Sequence, residues 1–150
     1  DIIFFDGEEG DENKGSETGE WQPLGSTVFA SNLDQFYYEE KPMGGIILDM
    51  VCDKNLNIFQ EKSSKEHAGS QVDAFWNIAK TIDRNAFIPQ VNAEIRDDHT
   101  ILNNAGIPSF LVIDSDYPYF HTTADTIDKC SDKSLEIVGN ALLKYIYTLK

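Results

Sequence analysis

Four groups of polar residues stand at the ends of apolar runs, and their types suit metal-assisted proton transfer. Ile2-Ile3-Phe4-Phe5 runs straight into Asp6-Gly7-Glu8-Glu9, and Gly45-Ile46-Ile47-Leu48 into Asp49. Asp97-Asp98-His99 precedes a short helical turn, and Tyr119-Phe120 precedes His121. Charged side chains are rarely buried unless they are paired or bound to metal. In open α/β sheets, sites gather outside the carboxyl ends of the strands. One Glu, one Asp and one His make a common donor set for zinc, and a neighbouring Glu left off the metal can serve as general base.

Each residue also has a plainer reading. Asp49 fits a buried acid that caps a neighbouring loop, His99 a helix-start residue, and His121 a packed loop histidine. His67, in a polar stretch, reads as a solvated side chain, and Asp11, Glu12, Glu17 and Glu20 as decoration of a loop. Tyr117, Tyr119, Phe120 and Trp21 suit either a core or the wall of a ligand pocket. No pair has the short spacing of HExxH or CxxC.

The elements that must position these groups alternate between strand and helix. Residues 2–5 read as a buried strand, followed by a long Gly-, Glu- and Asp-rich loop to Gly25. Ser26 is the expected N-cap of a short helix over residues 27–33. Residues 44–51 read as a second buried strand, and residues 53–68 are polar and weakly patterned. Val72, Phe75, Trp76, Ala79 and Ile82 mark an amphipathic helix that ends at Asp83-Arg84-Asn85. A turn over residues 100–105 leads to a strand over residues 109–113. The last helix starts at Ser131 to Ser134, with Leu135, Val138, Leu142 and Ile146 expected on its buried face. This order predicts an α/β fold of three layers, helix–sheet–helix, around a mostly parallel mixed sheet.

Composition narrows the function. The chain has 150 residues, enough for one domain with a real core. Its net charge of -14 leaves no basic stripe to neutralise phosphates, which argues against nucleic acid and against an anionic membrane surface. No apolar run approaches the ~20 residues of a membrane span. Acidity suits cationic ligands, metal ions and peptide N-termini among them. Cys52 and Cys130 sit in no metal-type cluster; they permit one disulfide without implying it, and both are expected to be buried free thiols.

At these residues the chain resembles the M28 zinc exopeptidases, a family that includes the glutaminyl cyclases. Phe4-Phe5-Asp6-Gly7-Glu8-Glu9 is similar to the family's strand with its Glu pair, and Leu24-Gly25-Ser26 to the start of its next helix. Gly45 to Met50 resembles the strand of the central aspartate. Asp97-Asp98-His99 with Ala105-Gly106-Ile107-Pro108, and Tyr117 to Thr122 with Asp125-Thr126, resemble the last two motifs.

The resemblance implies that Glu8 is the general acid/base and that Glu9 and His121 bind zinc. Asp49 would bind a second zinc in an aminopeptidase, or join a proton-relay network with Asp97 in a cyclase. Trp21, Phe120 and Tyr119 would wall the substrate pocket. The family's upstream histidine-x-aspartate motif has no match here, so the resemblance implies the C-terminal part of a catalytic domain, in which an N-terminal segment of the same protein would complete the metal site. By itself such a fragment is expected to bind zinc weakly and turn over little.

Asp-Gly before the Glu pair and Asp97-Asp98-His99 lean toward glutaminyl-peptide cyclisation, an acyl transfer. Phe120, where cyclases often carry Trp, leans toward aminopeptidase hydrolysis. A non-catalytic binding domain on the same fold is the third reading. The expected partner is the free N-terminus of a peptide, and the family leans toward export from the cytoplasm.

Overall fold

Val72, Phe75, Trp76 and Ala79 recur at helical spacing, and all four are buried on one face of a long helix. The structure is a computed structural model and describes residues 1–8, 21 and 23–149. In chain order its elements are α1 (Leu24–Ser31), α2 (Leu33–Phe36), β1 (Gly45–Asp49), β2 (Ile58–Gln60), α3 (Lys62–Ala79), β3 (Phe87–Val91), α4 (Asp98–Asn104), β4 (Ser109–Ile113) and α5 (Asp132–Ile146). β1 pairs with β4, and β2 pairs in parallel with β3, Ile58 opposite Phe87. The alternation of strand and helix expected from the sequence is present, and the fold is mixed α/β. Contacts divide it into two compact units: Asp1–Gly45 with Arg96–Ser109, and Ile46–Ile95 with Phe110–Lys150.

The second unit is built on aromatic side chains. The Phe75 ring lies 5.3 Å from Trp76, 5.8 Å from Phe87, 5.4 Å from Phe110 and 5.5 Å from Tyr145, mostly edge to face as aromatic quadrupoles prefer. Two elements here went unseen in the polar stretch 53–68 and beyond it. β2 and β3 are too short for a period to emerge, and Pro89 interrupts β3. α3 begins a full three turns before its apolar pattern does. Its N-cap is Glu61, buried, whose carboxylate accepts from Ser63 N at 2.8 Å, Ser64 N at 2.5 Å and Ile95 N at 3.0 Å. An acid at this end also suits the helix dipole. The helix is kinked at Ala68, which has a non-helical φ of -130° and is followed by Gly69, so the two halves do not share one apolar stripe.

α5 starts at Ser131 as expected, but its buried face is Ser134, Val138, Ala141 and Tyr145. Leu135 and Ile146 are exposed. The face is turned because the Tyr145 ring reaches both Phe75 and Phe110, while the small Ser134 and Ala141 let α5 lie close. Cys52 and Cys130 are not free thiols: they form a disulfide across 78 residues, with Cα atoms 4.7 Å apart. Nothing in linear spacing signals such a long-range pair. An antiparallel bridge between Asp53 and Cys130 aligns the two segments.

In the first unit, residues 1–7 form no regular element and join no ladder, and the expected buried strand is open: Ile2 is 88% and Phe4 93% exposed. Among the described residues no strand pairs with this segment, and of its apolar side chains Phe5 packs on Phe29, ring centroids 5.5 Å apart. The segment is held at its end, where Gly25 N donates to Asp6 O and Leu24 N to Gly7 O, each at 2.8 Å. A β-carbon on Gly25 would come within 2.6 Å of Asp6 O, which requires glycine in the Leu-Gly-Ser run. Ser26 is therefore not the cap. Pro23 takes that place, and Ser26 is buried within the first turn. α1 packs against α4.

Candidate functional site

In the first unit, Glu8 is half-buried in the turn that follows Gly7, whose φ of +66° glycine accepts readily. Glu9 lies outside the described residues, as do Asp11, Glu12, Glu17 and Glu20. Trp21 is half-buried, with the Arg96 guanidinium 5.5 Å above its ring, a cation–π contact the sequence did not suggest. Asp97 is buried and caps α4 by accepting from Asp98 N. Asp98 and His99 are buried beside it in the first turn. Burial raises the Asp98 carboxyl above the ordinary range, and the Ser26 hydroxyl and His99 oppose the rise. His99 thus occupies the helix start, its plainer reading. An open groove of about 790 Å³ also lies in this unit, lined by Phe4, Leu24, Val28, Phe29 and Phe36 among others. None of the expected site residues lines it.

In the second unit, Asp49 ends β1 half-buried, and the next residue, Met50, has a φ of +45°. His121 is exposed, has a φ of +55°, and lies against Phe120 with ring centroids 3.9 Å apart. Met50 and His121 are the non-glycine residues with positive φ among those described. Such conformations are uncommon for residues with a β-carbon and concentrate at functional sites. Tyr119 lies under the Lys129 ammonium at 5.0 Å and edge-on to Tyr117, while Tyr117 itself is buried and donates to Asp125 at 2.6 Å. Burial, then that bond to Asp125, raise the Tyr117 phenol. His67 is exposed, as read from sequence.

Sequence reasoning missed Asp114. It follows the apolar run Phe110 to Ile113 directly, the same signal that singled out Asp49. It is 1% exposed and accepts from Asn57 N at 2.9 Å. Burial pushes its carboxyl up to about 6.

Asp49 and His121 offer the oxygen and nitrogen donors that zinc takes. Among the described residues, however, no three His, Cys, Asp or Glu side chains gather to hold a metal ion. The described part alone does not close a donor set.

A mixed α/β fold with carboxylates at strand ends and a histidine-bearing loop defines the exopeptidase type of architecture. The sequence profile of Peptidase family M28 matches residues 1–146, and the chain belongs to that family. Among solved structures, it is similar to a glutaminyl cyclase of Bacteroides thetaiotaomicron bound to N-acetylhistamine, at 31% identity over 99% of this chain and 54% of that one, with a TM-score of 0.83. A leucine aminopeptidase precursor of the same organism is 32% identical over 85% of this chain and 44% of that one, with a TM-score of 0.78. A Zn-dependent exopeptidase of Parabacteroides distasonis is 29% identical over 97% of this chain and 53% of that one, with a TM-score of 0.85. The chain therefore spans about half the length of the solved relatives it matches. No curated protein matches it. Among the described residues no helix is long and apolar enough to cross a membrane.

Proposed function

We propose that this chain is part of an M28 zinc enzyme acting at the free N-terminus of peptides, and that its reaction is cyclisation of N-terminal glutamine to pyroglutamate. The observation that carries this reading is the run Asp97-Asp98-His99, in which two adjacent carboxylates are both buried at one helix start. Buried carboxylates concentrate at functional sites, and a hydrogen-bonded carboxylate suits a proton relay. Asp6-Gly7 ahead of Glu8 and the 31% identity to a glutaminyl cyclase lend further support.

In the reaction, the substrate's α-amine attacks the γ-carbon of its own glutamine side chain. Glu8 accepts the proton that the amine loses and returns it to the departing carboxamide nitrogen, so ammonia leaves and the ring closes. On this reading Asp49 and Asp97 would help to steady this proton. Trp21, Tyr119 and Phe120 would wall the pocket for the glutaminyl side chain. Zinc, which Glu9 and His121 would hold, would polarise the γ-carbonyl.

Phe120 and the likeness to a leucine aminopeptidase precursor favour a second reading, hydrolysis of the first peptide bond. There Glu8 takes the proton of the attacking water, and Asp49 would hold a second zinc. Residues 1–150 would form one part of the M28 catalytic domain. The Cys52–Cys130 disulfide supports a location outside the reducing cytoplasm.

The test is to incubate the intact protein, with zinc, on peptides beginning with Gln and on aminoacyl nitroanilides. The expected result is loss of one ammonia from the Gln peptides, with Glu8→Gln lowering kcat by roughly 10²- to 10⁴-fold. Release of nitroaniline without cyclisation would establish the aminopeptidase, and no turnover of either substrate would leave a binding domain.

A further inference from the structure

Residues 115–129 form the loop that carries Tyr119, Phe120 and His121. Both of its ends are fastened to the same short turn, residues 52–57. At its start, buried Asp114 accepts from Asn57 N at 2.9 Å. At its end, Cys130 is disulfide-bonded to Cys52, Asp53 bridges to Cys130, and Ser131 N donates to Cys52 O at 2.7 Å. Ser134 Oγ adds a 2.7 Å bond to Asp53 O.

Between these anchors every residue from Phe120 to Asp128 is exposed. Packing therefore does little to fix that span. It is held internally by successive tight turns, closed by Phe120 N on Tyr117 O, Thr122 N on Tyr119 O and Asp125 N on Thr122 O, with the Tyr117–Asp125 hydrogen bond and the Lys129–Tyr119 contact among its side-chain ties. Yet His121 holds a φ of +55°, which a β-carbon resists. A backbone of this kind persists where the surrounding structure over-determines it. The turn closed by Thr122 N on Tyr119 O, with His121 at its third position, sets that backbone locally, and the base sets where the turn stands.

We propose that residues 52–57, through the Cys52–Cys130 disulfide and the Asn57–Asp114 hydrogen bond, are the positioning element for His121, and that opening the disulfide releases the loop and disables the site. The functional half of this statement rests on the reading of His121 as a zinc ligand. Both cysteines are half-buried, and the reductant is a small dithiol. Its two thiols supply two electrons and two protons: the protein's S–S bond breaks, two thiols form on Cys52 and Cys130, and the dithiol closes to its own disulfide.

The experiment compares the intact oxidised protein with the same protein under dithiothreitol and with a Cys52→Ser/Cys130→Ser double variant. Amide hydrogen exchange is followed residue by residue, together with zinc retention against a chromophoric chelator and the split between kcat and KM. Exchange over residues 118–128 is expected to quicken at least tenfold while α3 and α5 stay protected. Zinc retention and kcat should fall about tenfold, with KM for a Gln peptide changing less. Asp114→Asn keeps an acceptor for Asn57 N and should leave the exchange of residues 118–128, relative to α3 and α5, as in the wild type, whereas Asp114→Ala should loosen the loop as reduction does. Unchanged exchange at residues 118–128, or an equal rise across α3 and α5, would overturn the proposal, the latter by making the disulfide a general staple. If the double variant does not fold, reduction of the folded protein decides. If the oxidised protein holds no zinc and turns over neither substrate class, the functional reading fails, and the exchange result still judges the clamp.

Discussion

Both units bury polar side chains, but they differ in how much apolar interior surrounds them. Inside the second lie Phe75, Trp76, Phe87, Phe110 and Tyr145 in mutual ring contact. Inside the first lie Ser26, Asp97, Asp98, His99 and Ser109 beside a few aliphatics, while Ile2, Phe4, Val28 and Phe36 face outward. Dispersion and apolar burial hold the second unit, and a close-packed interior of this kind resists small displacements. Buried polar groups hold the first, and each must keep a partner with good geometry or it destabilises the fold. A scaffold of the first kind is suited to stiffness, and one of the second kind to chemistry.

The largest effect should come from the aromatic centre. Phe75→Ala removes a fully buried ring that touches four others, and truncations of this kind cost about 3–5 kcal/mol. Urea unfolding followed by tryptophan fluorescence measures it, since Trp76 is one of those neighbours. A loss under ~1 kcal/mol would mean that the second unit does not rest on its rings, and the contrast between the units would fall.

Next comes Asp114, a buried acid of the second unit whose carboxyl is pushed up to about 6 from 3.8. Burial favours its neutral form in the folded state. Below about pH 4 the folded and unfolded chains are both protonated there, and the group is neutral to stability. As pH rises from 4 to 6 the unfolded chain ionises first, so the fold loses stability, and the loss is complete above the folded value. Its size is on the order of 2–3 kcal/mol. Asp114→Asn should remove this slope while keeping the bond from Asn57 N. Thermal unfolding of both proteins from pH 4 to 8 checks it, and parallel curves would show that the carboxylate is not penalised.

The comparison also explains what the sequence made legible. β4 was read to the residue, because Ser109 to Ile113 is an all-buried run bounded by Gly106-Ile107-Pro108 and an acid. The start of α5 was legible because Ser131 caps it through its own side chain. Residues 53–68 were opaque. β2 has three residues, and α3 opens with Lys, Ser, Ser, Lys, Glu and His on the strength of the Glu61 cap rather than of any apolar stripe. The carboxylates at strand ends were found by their setting, and Asp114 shows that the same setting also serves anchoring. The disulfide was invisible because it closes a span of 78 residues. The strand expected over residues 2–5 failed for a different reason. An apolar run states that a surface wants cover, and it does not say what supplies the cover.

That last point yields the smallest effect. Phe4 is 93% exposed, so in a protein of these 150 residues Phe4→Ser removes almost no buried area. At roughly 25 cal/mol per Å² of apolar surface taken out of water, a side chain already in water has little to lose, and the change should stay within about 0.5 kcal/mol. The same substitution should improve solubility, because Ile2, Phe4, Val28 and Phe36 are apolar side chains open to solvent. Unfolding by urea and light scattering at rising concentration measure the two effects side by side. Made in a longer form of the protein, Phe4→Ser becomes a probe of cover. A loss of ~2 kcal/mol or more there would mean that this face is buried by further chain, and that the first unit's shortage of apolar interior is made good by surface outside it.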